Sequence, residues 1–251
     1  MAFFRSLLGH AASRVLTDNP VRAGLTVDWD PRAGVTADAA GLVSRIADQS
    51  GNGNAATNTD APSARPQWVD GVVNGLPVLR FDGADFLGAS ASGGAAMANL
   101  PGLDDWTLVA VCRPADGFGA RTTECVIGAG LDSHAHIAAL ANAPGKLGVL
   151  YGGVAWHTSQ RDLAEGWQLL VAVRAAGTLR LYVNNADVGE TWSTAPSGGG
   201  VLMLGAAAPG VHGFAGDIAR GMIYTAALSA TDRTTLAAYL GTLYGIALAG
   251  S

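Results

Sequence analysis

Through most of the chain, apolar and polar residues alternate in short runs. Glycine, proline, asparagine or aspartate separates each run from the next. Leu25-Thr-Val-Asp-Trp29 alternates and predicts a first strand. Leu42-Val-Ser-Arg-Ile-Ala-Asp48 predicts another, followed by Gln49-Ser-Gly-Asn-Gly-Asn54, whose asparagines and glycines tolerate positive φ and allow a sharp turn. A polar stretch, Thr57 to Pro66, leads to Trp68-Val-Asp-Gly-Val-Val-Asn-Gly75. Leu76-Pro-Val-Leu-Arg-Phe-Asp82 predicts a strand with Pro77 near its start, where a missing N–H is tolerated. Asp82-Gly-Ala-Asp85 turns the chain into Phe86-Leu87.

The second half reads more plainly. Trp167 to Arg174 and Thr178 to Val183 predict a hairpin joined by the short turn Ala175-Ala-Gly177. Leu179, Leu181 and Val183 then share one face, with Thr178, Arg180, Tyr182 and Asn184 on the other. Val201 to Gly205, Phe214 to Ile218 and Met222 to Tyr224 predict the last strands. A helix follows: Ser229-Ala-Thr-Asp232 starts like a capping box, and Leu236, Tyr239, Leu240 and Leu243 recur at three- and four-residue steps. Gly245 is placed to end it in the left-handed conformation.

Nothing alternates strand with helix, which disfavours a parallel sheet. The pattern predicts an all-β, two-sheet antiparallel sandwich over residues 21–251 with a C-terminal helix. Before it, Phe3, Phe4, Leu7, Leu8, Ala11 and Val15 fall on one helical face, so residues 1–20 read as a short helical arm. That arm either packs on its own domain or docks into a larger assembly. Arg5, His10 and Arg14 interrupt its apolar run, which argues against a signal peptide.

Composition narrows the partners. Apolar residues make up 49% and charged residues only 14%, enough to bury a large core. The net charge of −5 gives no electrostatic reason to bind nucleic acid or an anionic membrane. Lys146 is the single lysine, and Glu124, Glu165 and Glu190 are the three glutamates, a skew toward arginine and aspartate that suggests a GC-rich bacterial or phage genome. Two cysteines without C-x-x-C spacing do not make a zinc site. If Thr107–Arg113 and Glu124–Gly128 form a hairpin centred near Phe118, Cys112 lies opposite Cys125 and Arg113 opposite Glu124. The two thiols are then expected to be free and half-buried.

Three stretches in order resemble the laminin G-like branch of the concanavalin A-like lectin/glucanase superfamily. They are Asp48–Ala55 with Arg65–Trp68 and Leu79–Gly83; Gly166–Arg174 through Leu181–Asn184; and Phe214–Ile218 with Ile223–Ser229 and the closing helix. The resemblance implies a jelly-roll sandwich that binds glycans or proteins through loops at one rim, sometimes with Ca²⁺. It also brings in phage and prophage virion proteins, where free-standing copies occur. Where relatives carry an acidic residue after the Gly-x-Ile strand, this chain has Ala219-Arg220.

Glycan-cleaving relatives use a Glu-x-Asp-x-x-Glu strand, because alternation sets those carboxylates on one face about 5.5 Å apart. Here the three glutamates stand far apart, and Asp82 with Asp85 and Asp104 with Asp105 sit where aspartate turns the chain. No nucleophile elbow, H-E-x-x-H or phosphate loop occurs. No catalytic residue is assigned.

Leu131 to Arg161 is the most chemically loaded stretch. Asp132, His134, His136, Tyr151, Trp156, His157 and Arg161 are the candidate ligand-binding residues, offering an aromatic face for a sugar ring and planar polar groups for its hydroxyls. In the plainer alternative Trp156 fills the core and the histidines are surface residues. His134-x-His136 lacks a third metal ligand, so no metal is assigned. Ca²⁺ held by Asp48, Asn52 or Asp82 stays open against simple turn formation. Trp29, Trp68, Trp106 and Trp167 are expected in the core.

The expectation is a non-catalytic binding or structural module of a virion, made in the bacterial cytoplasm. It contacts a host-surface glycan or neighbouring virion proteins, as a homo-oligomer or part of a larger assembly. The alternatives are a polysaccharide hydrolase or lyase of the same superfamily, and a secreted adhesin.

Overall fold

The computed structural model describes residues 19–88, 105–115, 124–129, 136–138, 145–151, 155–163, 165–193 and 202–250. The arm expected at residues 1–20 lies almost wholly outside them. In chain order the strands are β1 (Leu25–Trp29), β2 (Val35–Ala37), β3 (Val43–Ile46), β4 (Ala56–Thr57), β5 (Gln67–Val73), β6 (Leu76–Asp82), β7 (Leu87–Gly88), β8 (Trp106–Pro114) and β9 (Cys125–Ala129). Then come β10 (His136–Ala138), β11 (Lys146–Tyr151), β12 (Ala155–Asp162), β13 (Gln168–Ala175), β14 (Thr178–Val183), β15 (Ala186–Ser193), β16 (Leu202–Leu204), β17 (Ala215–Tyr224) and the helix α1 (Ala230–Tyr244).

The strands form two antiparallel sheets. Sheet A runs β15-β14-β13-β8-β17-β6-β5, with β1 added beside the C-terminal half of β17. Sheet B runs β12-β11-β10-β9-β16-β7-β4-β3-β2. This is the expected all-β sandwich, consistent with a jelly roll, and its core holds Trp29, Phe81, Trp106, Ile127, Leu170, Leu181 and Phe214 between the sheets.

Sheet A also has a covered outer face. Leu236, Ala237, Leu240 and Leu243 of α1 pack with Val109, Val111, Leu169 and Val171. Strands β13 and β17 are therefore buried on both faces for nearly their whole length. This explains why Trp167–Arg174 reads as a continuous apolar run rather than an alternating one. Each large aliphatic side chain so covered contributes about 1.5–3 kcal/mol. The ends of α1 are set locally: Ser229 Oγ accepts from Asp232 N at 3.1 Å, and Gly245 caps the helix at φ 67°.

The expected β13–β14 hairpin forms, but Ala175 pairs with Thr178, so the turn is the two residues Ala176 and Gly177, both at positive φ, rather than three. Leu179 and Leu181 face the inter-sheet core and Tyr182 the helix side, as alternation requires. The segments expected around Ile218 and Met222 form one ten-residue strand with a register shift between Ile218 and Arg220.

The Cys112–Cys125 hairpin is not formed. Strand β8 belongs to sheet A and β9 to sheet B, so the segment between them crosses from one layer to the other. A crossing needs the same turn residues as a hairpin, and alternation cannot distinguish them. Cys112 pairs with Gln168 and Ile218 instead, and Cys125 with Ala138. Neither cysteine is in a disulfide, and both are fully buried rather than half-buried. Burial pushes both far above the ordinary thiol range.

Candidate functional site

Two regions carry the chemistry. The first is the β10–β12 end of sheet B, which contains most of the sequence-predicted residues. His136 lies opposite Leu150, and Leu150 opposite Trp156, so one register row crosses three strands. Tyr151 lies opposite Ala155 at the β11–β12 turn. His157 belongs to the neighbouring row with Val149 and Ile137, and Val149 points into the core. His157 is half-buried, and burial lowers its pKa, favouring the neutral imidazole. Arg161 lies further along β12. Asp132 and His134 lie outside the described residues.

The second region was not singled out from sequence. Gln67, Arg80, Asp217 and Arg113 form one row across β5, β6, β17 and β8. Arg80 grips the Asp217 carboxylate with Nε at 2.7 Å and Nη2 at 3.1 Å, while Arg113 Nη2 donates to it at 2.7 Å. The Asp217 side chain is 5% exposed, yet those of Arg80 and Arg113 are 47% and 40% exposed. The Arg113 guanidinium also lies 5.1 Å from the centre of the Trp167 ring. Trp167, expected in the core, is thus only half-buried at the edge of the helix-side cluster. Trp29 and Trp106 are core as expected; Trp68 is partly buried, with Nε1 donating to Pro31 O at 3.0 Å. A cleft of about 520 Å³ opens beside the arginines, walled by Phe81, Pro114, Ala115 and Gly216. The sequence signal was faint, because Asp217 stands 137 residues from Arg80 and 104 from Arg113 along the chain.

Strand β17 carries a second arginine cluster. Arg220 donates to both oxygens of Asp28 at 2.7 Å and forms an ion pair with Asp30 at 2.9 Å. The side chains of Arg220 and Asp28 are 2% exposed, sealed between β1, β17 and α1. Burial works against ionised Asp30, but the guanidiniums of Arg220 and Arg32 outweigh it and hold its carboxyl below the usual range. Arg220 fills the place after the Gly-x-Ile strand with a structural ion pair.

The carboxylates considered for catalysis or Ca²⁺ are engaged in backbone geometry. Asp48 accepts from Asp28 N, Ser50 N, Ser50 Oγ and Asn54 N, at 2.7–3.0 Å. Asn52 donates to Leu25 O at 3.0 Å, and Asp82 accepts from Ala84 N at 2.8 Å. With both Asp48 oxygens turned toward N–H and O–H donors, this loop does not fit a hard cation. Asp85 accepts from Asp82 N at 2.9 Å, and Asp105 from Ala176 N at 2.7 Å; Asp104 lies outside the described residues. Glu124 is buried and accepts from Ala215 N at 2.9 Å, so the expected pairing with Arg113 is replaced on both sides.

Known structures share this architecture. Domain 4 of AbnA, a GH43 extracellular arabinanase from Geobacillus stearothermophilus solved with arabinotriose, aligns with a TM-score of 0.61 at 16% identity, covering 86% of this chain and 98% of that one. A GH54 α-L-arabinofuranosidase aligns at 0.62 and 13% identity, covering 81% of this chain and 51% of that one. Trypanosoma rangeli sialidase with the inhibitor DANA aligns at 0.58 and 16% identity, and the chain spans only 33% of its length. At such identities the likeness is one of fold. No curated protein matches the sequence significantly. The laminin G-like family profile of the concanavalin A-like lectin/glucanases superfamily matches residues 87–232, more than half of the chain, and the protein belongs to that superfamily.

Proposed function

We propose that this protein is a non-catalytic glycan-binding domain whose sugar site lies on the β10–β12 end of sheet B. The observation that carries the reading is the whole-domain likeness to the arabinotriose-bound domain of AbnA, nearly all of which the chain covers. One register row holds His136 on β10 and Trp156 on β12, with Leu150 of β11 between them, and so places on one sheet an aromatic residue and an imidazole, the residue types that a sugar ring and its hydroxyls require. The catalytic alternative is weakened because Asp82, Asp85, Asp105 and Glu124 each hold backbone N–H groups. Residues 1–20 would attach the domain to a larger assembly, a virion in the reading that the family resemblance suggests.

Isothermal titration of the full chain with arabino-oligosaccharides and with the hits of a glycan array tests this reading. Binding that weakens at least tenfold in Trp156→Ala, with no release of reducing ends, is the expected result. A blank array, or binding indifferent to Trp156→Ala, overturns the assignment. Sedimentation with partner proteins before and after deletion of residues 1–16 tests the arm: unchanged assembly removes it.

A further inference from the structure

We infer that Arg80, Asp217 and Arg113 form a subsite for an oxyanion carried on a glycan, so that the ligand is an acidic saccharide. The body of the ligand rests on the glycan-binding reading; the anionic group does not.

One carboxylate faces two guanidiniums, so the cluster holds a net positive charge on a chain whose formal charge is −5. Each guanidinium has five N–H donors in a planar fork. Asp217 takes two from Arg80 and one from Arg113, leaving most without an acceptor among the described residues. A planar fork with open donors matches a carboxylate or sulfate bidentately.

The arrangement is also held in advance of binding. Asp217 is buried in a central strand and fixes both arginines, and the Trp167 ring supports Arg113 from the side. Little side-chain freedom remains to be lost when a ligand arrives. The adjoining cleft of about 520 Å³ is large enough for a sugar ring. Its floor depends on Gly216, where a Cβ would lie 2.4 Å from Arg113 O and 2.7 Å from the Pro114 Cα. An ion pair serving only the fold has no need of that opening, as the sealed Arg220 cluster on the same strand demonstrates.

The test is calorimetric titration of the full chain with three probes of matched length: oligogalacturonate, sulfated oligogalactan and neutral oligogalactan. At least one charged probe should bind tenfold or more tighter than the neutral one, and the stronger charged arm identifies the group as carboxylate or sulfate. The preference should vanish in Arg113→Gln and Arg80→Gln, and shrink in Arg113→Lys, which keeps the charge but not the fork. Equal affinity for neutral and charged probes in the wild-type chain overturns the subsite without any variant, and leaves the glycan reading standing if both bind. If no sugar binds, titration with inorganic phosphate followed on the Arg80 and Arg113 Nε–H NMR signals separates the two readings. Shifted signals keep the oxyanion site and discard glycan binding, whereas unmoved signals discard both.

Discussion

Strand β17 carries two arginine–aspartate clusters, one through Asp217 and one through Arg220, and they have opposite fates. In the Arg220 cluster every charged group is largely buried, and Asp28 and Asp30 flank Arg220 while Arg32 closes the other side of Asp30. In the Asp217 cluster one buried carboxylate faces two half-exposed guanidiniums. The chemistry of each pair is alike. What differs is whether α1 covers the row, and that decides which cluster supports the fold and which remains free to meet a ligand. A sealed ion pair is costly to break, because its surviving partner stays desolvated. A half-open pair contributes little to stability, because water screens it.

The comparison is broken most severely at Arg220. Arg220→Ala leaves Asp28 buried without its cation and Asp30 with Arg32 alone, and should destabilise the domain by about 3–5 kcal/mol in urea or thermal unfolding. A loss below about 1 kcal/mol would mean that the cluster is hydrated and the contrast false. Asp217→Asn removes the buried charge that binds both arginines. It should cost about 1–3 kcal/mol and abolish any preference for an acidic probe.

Asp85 sharpens the comparison, being a largely buried carboxylate with no guanidinium paired to it among the described residues. Burial pushes it up to about 6, against the Asp82 backbone N–H that pulls it down. The folded chain therefore binds that proton more tightly than the unfolded one, and the ionised form is the penalised form. This increment to stability is fully present below the ordinary carboxylate value of 3.8 and is lost as pH rises through about 6. Asp85→Asn should remove the decline, worth about 1–2 kcal/mol after allowance for screening. A wild-type profile flat between pH 4 and 7, at unchanged Asp28 and Asp30, would contradict it.

The smallest effect on stability is expected at the open cluster. Arg113→Gln should cost under about 1 kcal/mol in urea unfolding. A larger loss would move Arg113 from recognition to structure.

Much of the architecture could be read from the sequence, because it is encoded locally. Strands Leu25–Trp29 and Leu76–Asp82, the Ala176-Gly177 turn and both ends of α1 follow from alternation, positive-φ residues and capping side chains within a few positions of one another. The same is true of the loop built around Asp48, whose hydrogen-bond partners include Ser50 and Asn54. For the candidate site, the sequence brought out the chemically rich stretch from Leu131 to Arg161. Pairing then put His136, Leu150 and Trp156 in one row, with His157 in the next.

Long-range choices were decided only in three dimensions. The Cys112 and Cys125 strands joined different sheets, since layer membership depends on which distant strands compete for each edge. Asp28 met Arg220 across 192 residues, and Asp217 met Arg80 across 137. Local pattern fixes what each segment can become and which face it buries. Which charges end up opposite one another, and whether a helix then covers them, depends on register and packing between segments far apart in the chain.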